Sequence, residues 1–231
     1  MPHDFQRAVP SFAATSETMT DGAVLSPLQV LEGGNVSPQL SWSGFPPDTR
    51  SFAVICFDPD APTGSGWWHW ALLDLPAGVT ELPAGAGSGS LPGLPPGAIH
   101  GRNDYGTKDF GGAAPPPGHG PHRYVFTVHA LGVEKLGLDD DASAAAIGGT
   151  LGFFALGRAP ICALYENRWN AARGRDARVL PSRWDRRSGR SRKRTRGVTG
   201  RGCRRHQARP RGRPRPMPRS GELPVTAPAV S

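Results

Sequence analysis

The sequence predicts a mainly β domain followed by a disordered tail, and three observations carry that reading. Ser51–Phe57 is an almost continuously apolar run of seven residues, the signature of a strand buried on both faces. Trp68–Leu75 and Arg123–Leu131 have the length and β-branched or aromatic content of strands. Between these runs, Gly and Pro clusters mark turns and loops rather than helices.

In chain order, residues 1–22 are polar, and Phe5, Val9 and Phe12 are too scattered to define an element, although Phe5 and Phe12 could dock on a sheet. Ala23–Leu31 reads as a short strand broken at Pro27, followed by the turn cluster Gly33-Gly34-Asn35. Pro38–Trp42 alternates, with Leu40 and Trp42 on one face. Trp68–Leu75 is the return strand for Ser51–Phe57. Strict period-two geometry sets His69, Ala71 and Leu73 on one face and Trp68, Trp70 and Leu72 on the other.

Residues 76–120 are dense in Gly and Pro, with Ala98-Ile99-His100 a brief apolar element. The polar set Arg102-Asn103-Asp104-Tyr105 favours a functional loop. In Arg123–Leu131 the alternation places His122, Tyr124, Phe126 and Val128 on one side, and Arg123, Val125, Thr127 and His129 on the other. Asp139-Asp140-Asp141 before Ala142–Ile147 predicts a helix start complementing the dipole. Gly148, Gly149 and Gly152 weaken it, each by about 1 kcal/mol. Pro160 is expected to stop that segment, and Ile161–Tyr165 to form a last strand.

Charge divides the 231 residues in two. Residues 1–168 hold 8 Lys and Arg against 16 Asp and Glu, and residues 169–231 hold 19 against 3, so −8 and +16 make up the total of +8. The basic balance therefore describes the tail and gives no reason to read the first part as a nucleic-acid-binding domain. Cys56, Cys162 and Cys203 form no CxxC pair, which argues against structural zinc and a disulfide framework. The opening residues carry acid and proline where a signal peptide has an apolar core, and no run approaches 18 apolar residues. The expectation is a soluble cytoplasmic protein without a membrane span. Composition does not fix the oligomeric state.

Phe57–Trp70 sets Asp58, Asp60, His69 and the indoles of Trp67, Trp68 and Trp70 between two apolar runs, and reads as the wall of a binding pocket. Each part has a plainer reading: acid-Pro-acid is a common turn, a lone histidine is usually a hydrogen-bonded core residue, and indoles usually pack. Together, imidazole N–H groups, a phenol and an orienting carboxylate suit a small anion. A bare anion cannot sit beside unpartnered carboxylates, so His69 or His122 must stand between it and Asp58. Two Asp and two His could instead hold a divalent ion, but the tight His-x-His or HExxH spacing is missing, and no metal or cofactor is expected. An Asp/His dyad acting as a general base, with hydrolase- or lyase-like chemistry, is the enzymatic alternative. No nucleophile accompanies it: Cys56 lies inside a buried run and no G-x-S-x-G elbow is present.

Five motifs, Asn35–Trp42, Asp58-Pro59-Asp60-Ala61-Pro62, Gly64–Trp70, Gly101–Gly106 and Pro115–Tyr124, in that order, resemble the phosphatidylethanolamine-binding protein family in its bacterial YbhB/YbcL, or Raf-kinase-inhibitor-like, branch. The resemblance covers residues 12–168. It implies a large central β-sheet, a smaller sheet packed on it, a helix near the C-terminus, and a pocket for a small anion or phosphorylated headgroup, held without turnover. It also implies that Asp58, His69, His122 and Tyr124 line that pocket, with Asp60, Pro62 and Trp67 at its rim.

Residues 1–168 are thus expected to form the domain, and residues 169–231 an Arg/Pro/Gly-rich extension that buries too little apolar surface to fold. The extension has no counterpart in the family. It could bind nucleic acid non-specifically through counterion release, be inert, or be an out-of-frame translation product. The abrupt break in pattern and the GC-rich codons of Arg, Gly, Pro and Ala favour the last. Reading the gene in its other frames should then reveal a family-like or stop-terminated frame near codon 168; finding neither rejects the idea.

Overall fold

The computed structural model describes residues 7–88 and 94–168, all within one compact unit. Their elements are β1 (Ala13–Thr15), β2 (Leu40–Ser43), β3 (Ser51–Asp58), β4 (Trp67–Pro76), β5 (Glu81–Leu82), β6 (Ile99–His100), β7 (His122–Leu131), α1 (Ala144–Phe154) and β8 (Ala155–Tyr165). They make a five-stranded sheet in the order β6-β4-β3-β7-β8 and a three-stranded sheet in the order β1-β2-β5. All strand pairs are antiparallel. The expected large sheet, smaller sheet and late helix are all present. The expected tail, residues 169–231, lies outside the described residues, as does Phe5.

β3 is central because both its faces are apolar. Phe52, Val54 and Cys56 face a core shared with Leu40 and Trp42 of β2, Leu82 of β5 and Phe126 of β7. Ala53 and Ile55 face a second core closed by Ile147 and Leu151 of α1. Each fully buried large apolar side chain contributes about 1.5–3 kcal/mol, so burial on both faces fixes the strand's position and register.

Five expectations are corrected. The N-terminal segment does form a strand, β1, which pairs with β2 from Ala13 opposite Ser43. Ala23–Leu31 is not a strand: Pro27, lacking an N–H, opens a single 3₁₀ turn, Pro27–Gln29, whose cap Ser26 Oγ accepts from Leu28 N at 3.2 Å. The glycines expected to weaken the helix leave it unbroken, and it runs through all three to Phe154. A Cβ at Gly148 would lie 3.2 Å from the Trp68 ring, so glycine there lets the helix close on the indole. None of Asp139–Asp141 lies in its first turn: Ser143 is the cap, accepting from Ala146 N at 3.2 Å, while Asp140 and Asp141 pair with Lys108 and Arg102. Finally, Pro160 terminates nothing. It lies within β8, an edge strand, where a missing N–H leaves no ladder bond unmade.

Among the described residues no helix is long and apolar enough to cross a membrane. Leu151 is fully buried under the large sheet, and Phe153, two residues on, is 81% exposed. In guanidinium unfolding of the full chain, Leu151→Ala should cost about 2–5 kcal/mol and Phe153→Ala no more than about 0.5 kcal/mol. Equal losses would mean that the buried face of α1 is wrongly assigned.

Candidate functional site

The site grows out of one end of the large sheet, where β3 stops at Asp58 and β7 starts at His122. The Asp58 carboxylate is 2% exposed and His122 1% exposed. His122 Nδ1 donates to Asp58 Oδ2 at 2.7 Å, while Asp58 Oδ1 accepts from Asp60 N at 2.8 Å. A carboxylate only accepts, so the proton lies on His122 Nδ1. His122 Nε2 in turn meets Nδ1 of the exposed His119 at 2.8 Å.

His69 reaches the same place through an irregularity. Cys56 pairs with Trp70 and Phe57 with Trp68, so His69 is an extra residue on β4, a β-bulge that re-aims its side chain. The simple alternation is therefore corrected at this point. Trp68 packs on the α1 side with Ala71 and Leu73, and the His69 ring lies 5.0 Å from that of Tyr124 on the opposite face. His69 Nδ1 donates to the Gly111 carbonyl at 2.8 Å, leaving Nε2 as an unmatched, buried atom.

A cavity of about 260 Å³ opens between these groups. Asp58, Pro62, Trp67, His69, His122 and Tyr124 all line it, so the structure brings six of the seven proposed residues together. Asp60 is the exception. Its carboxylate takes Arg123 Nε at 2.8 Å and Nη2 at 2.7 Å, outside the lining. That hydrogen bonding holds Asp60 below the usual carboxylate range.

Tyr105 lines the cavity as well and was not singled out by sequence reasoning. Asn103 and Asp104 deliver it: Asn103 Nδ2 donates to Thr107 Oγ1 at 2.8 Å, and Asp104 Oδ2 accepts from Trp68 N at 2.7 Å. Its hydroxyl donates to the Gly112 carbonyl at 3.1 Å, and its ring lies 5.2 Å from that of Trp67. The polar set Arg102–Tyr105 was the available signal. Ala114, Pro115 and Pro116 form the opposing wall.

Burial governs the titration of the site. It pushes the Tyr105 phenol up to about 12 and, helped by the Asp58 charge, raises Tyr124 further. It also lowers His69, against the opposing pull of the Gly111 carbonyl and Asp58. At neutral pH both phenols keep their protons and His69 is uncharged. Cys56 supplies no thiolate, because burial raises its thiol strongly. Among the described residues no group of three or more His, Cys, Asp or Glu is placed to hold a metal ion.

The family model described as phosphatidylethanolamine-binding protein matches residues 15–166. The chain belongs to the phosphatidylethanolamine-binding protein family. It is 47% identical over 167 residues to the UPF0098 protein YbcL of Escherichia coli (strain K12), covering 70% of this chain and 91% of that protein. To YbhB of the same organism it is 49% identical over 135 residues, covering 58% and 84%. The crystal structure of E. coli YbcL, described as a new member of the mammalian PEBP family, superposes with a TM-score of 0.66 at 48% identity, covering 68% of this chain and 98% of that one. A PEBP homologue, CT736 of Chlamydia trachomatis, gives a TM-score of 0.58 at 26% identity, covering 68% and 97%.

In this family member, His69 offers a direct check on the geometry. A histidine whose folded value lies below its ordinary value of about 6.5 contributes full stability above that value and loses it as pH falls towards the folded one. Side-chain nitrogen NMR should find His69 neutral at pH 7, protonated on Nδ1, with a midpoint below about 6.5. A midpoint above that would contradict the burial and the tautomer together.

Proposed function

We propose that this family member is a binding module for a small oxyanion or the phosphorylated headgroup of a larger molecule, held without turnover. One observation carries the reading: Trp67 Nε1, His69 Nε2 and Tyr124 Oη are buried without hydrogen-bond partners, and all three side chains line the same cavity. Tyr124 Oη has at most a weak approach from the Ala114 backbone. Each unmet buried polar atom costs about 1–3 kcal/mol, so a ligand that satisfies all three recovers a substantial driving force.

The three atoms specify that ligand. Trp67 Nε1 is a donor only, Tyr124 Oη donates or accepts, and neutral His69 Nε2 accepts. A tetrahedral oxyanion with one remaining O–H meets all three. A fully ionised one does so only after His69 takes a proton on Nε2. Either way one proton sits between His69 and the ligand. The Asp58 carboxylate is hydrogen-bonded to His122 at 2.7 Å, which weakens its repulsion of an anion.

Binding without turnover is favoured by the same geometry. Thr63, the one aliphatic hydroxyl in the lining, donates to the Gly66 carbonyl.

Methyl phosphate, titrated calorimetrically into the full chain, tests the reading. A phosphomonoester loses its second proton near pH 6, and burial holds free His69 low. Above about pH 7 the proton at His69 is thus one that the separated partners lack, and its uptake alone should make affinity fall towards tenfold per pH unit. His69→Ala should remove that contribution and weaken binding, and Tyr124→Phe should weaken it about two- to tenfold. If neither substitution weakens binding, the pocket is wrongly assigned.

A further inference from the structure

His119 belongs to no part of the cavity lining, yet it is bonded to the most deeply set group of the site. Both nitrogens of His122 are engaged: Nδ1 on Asp58 at 2.7 Å and Nε2 on His119 at 2.8 Å. His122 is 1% exposed, whereas His119 lies on the surface. While this bond stands, His122 presents no free donor or acceptor to anything in the cavity.

The segment that carries His119 is built to let go. Gly118 and Gly120 flank it with φ of 76° and 90°, conformations that glycine adopts without penalty. The backbone is anchored just before the imidazole, not through it: Gly118 N donates to the Asn167 carbonyl at 2.9 Å and His119 N to the Pro116 carbonyl at 3.1 Å. The ring itself is set edge-on to His122, with centroids 5.0 Å apart. It can swing into solvent without disturbing those two bonds.

From this we infer that His119 is a latch on the oxyanion pocket: it competes with the ligand for His122 Nε2 and so sets the pocket's affinity and its selectivity for anions. The inference rests on the reading of the cavity as an oxyanion site. With the latch closed, the pocket offers Trp67, Tyr124 and His69. With it open, His122 Nε2 takes up a proton from solvent, a second one beside that shared by His69 and the ligand, and His122 becomes an imidazolium between the Asp58 carboxylate and the anion. That charge order, minus, plus, minus, is what an anion next to a buried carboxylate requires. A neutral ligand lacks the charge that would hold this second proton and so gains no ion pair from the exchange. His119 is thus a positioning residue, acting on the ligand only through His122.

The test uses the full chain at pH 7 with methyl phosphate as probe. His119→Ala removes the competitor, and the net worth of one intramolecular hydrogen bond corresponds to about two- to tenfold tighter binding than wild type. In the wild-type protein, nitrogen NMR should show the scalar coupling across the His119–His122 bond without ligand. At saturation the coupling should vanish and Nε2 of His122 should move to its protonated position. A role in folding alone would change neither. Unchanged or weaker binding by His119→Ala, or a coupling that persists at saturation, overturns the latch. If His69→Ala still weakens binding in that case, the oxyanion pocket survives without it. If neither wild type nor His119→Ala binds methyl phosphate, the pocket reading falls and the latch falls with it.

Discussion

The hydrogen bond between Asp58 and His122 is the interaction on which the rest of the site depends. It joins the last residue of β3 to the first of β7, the two central strands of the large sheet, and both groups are buried. An isolated carboxylate at that depth would be expensive, and removing one partner of a buried pair generally costs about 3–5 kcal/mol. The pair therefore fixes more than a tautomer. It sets where the two strands end, and so how far apart the loops after β3 and before β7 can stand. The cavity is the space those loops leave.

A second cross-link parallels the first on the outside. Asp60 follows Asp58 by two residues, and Arg123 follows His122 by one. Successive residues of a strand point to opposite faces, so β7 sends His122 inward and Arg123 outward, to the forked contact with Asp60 at 2.7 and 2.8 Å. The two carboxylates look equivalent in the sequence, and the structure gives them different work: one is buried and orients an imidazole, the other is half-buried and clamps the loop. The outer clamp contributes modestly by itself, because solvent screens it. Its value lies in holding Pro62 and the rest of the loop over the cavity.

Much of this was legible in the residues. Ser51–Phe57 announced a doubly buried strand because nothing else explains six consecutive apolar residues between prolines, and the alternation in His122–Leu131 put His122 and Tyr124 on one face correctly. What failed were the places where a fixed period is not kept. Alternation assumes two residues per repeat, and the bulge at His69 adds one, so the sequence pattern alone turned that ring to the wrong face. The motif resemblance put His69 in the pocket for a different reason. Gly148, Gly149 and Gly152 argued against a helix by propensity, and tertiary packing of Ile147, Leu151 and the Trp68 indole overrode it. Pro160 was expected to stop the segment before it, and it lies instead within β8, whose edge position tolerates it. Tyr105 could not be placed from sequence because its position depends on side-chain bonds made by Asn103 and Asp104 within a loop.

The titration behaviour of the site follows from burial more than from charge. Two phenols are pushed up and one imidazole is pushed down by the same desolvation, so the cavity at neutral pH is built of neutral donors and one neutral acceptor around a carboxylate already committed to His122. Such a pocket carries no standing positive charge to attract anions indiscriminately. An oxyanion held there, as proposed, is matched by a proton taken up at the site from the ligand or from solvent. On the proposed reading, selectivity lies in which oxyanions carry or draw in that proton.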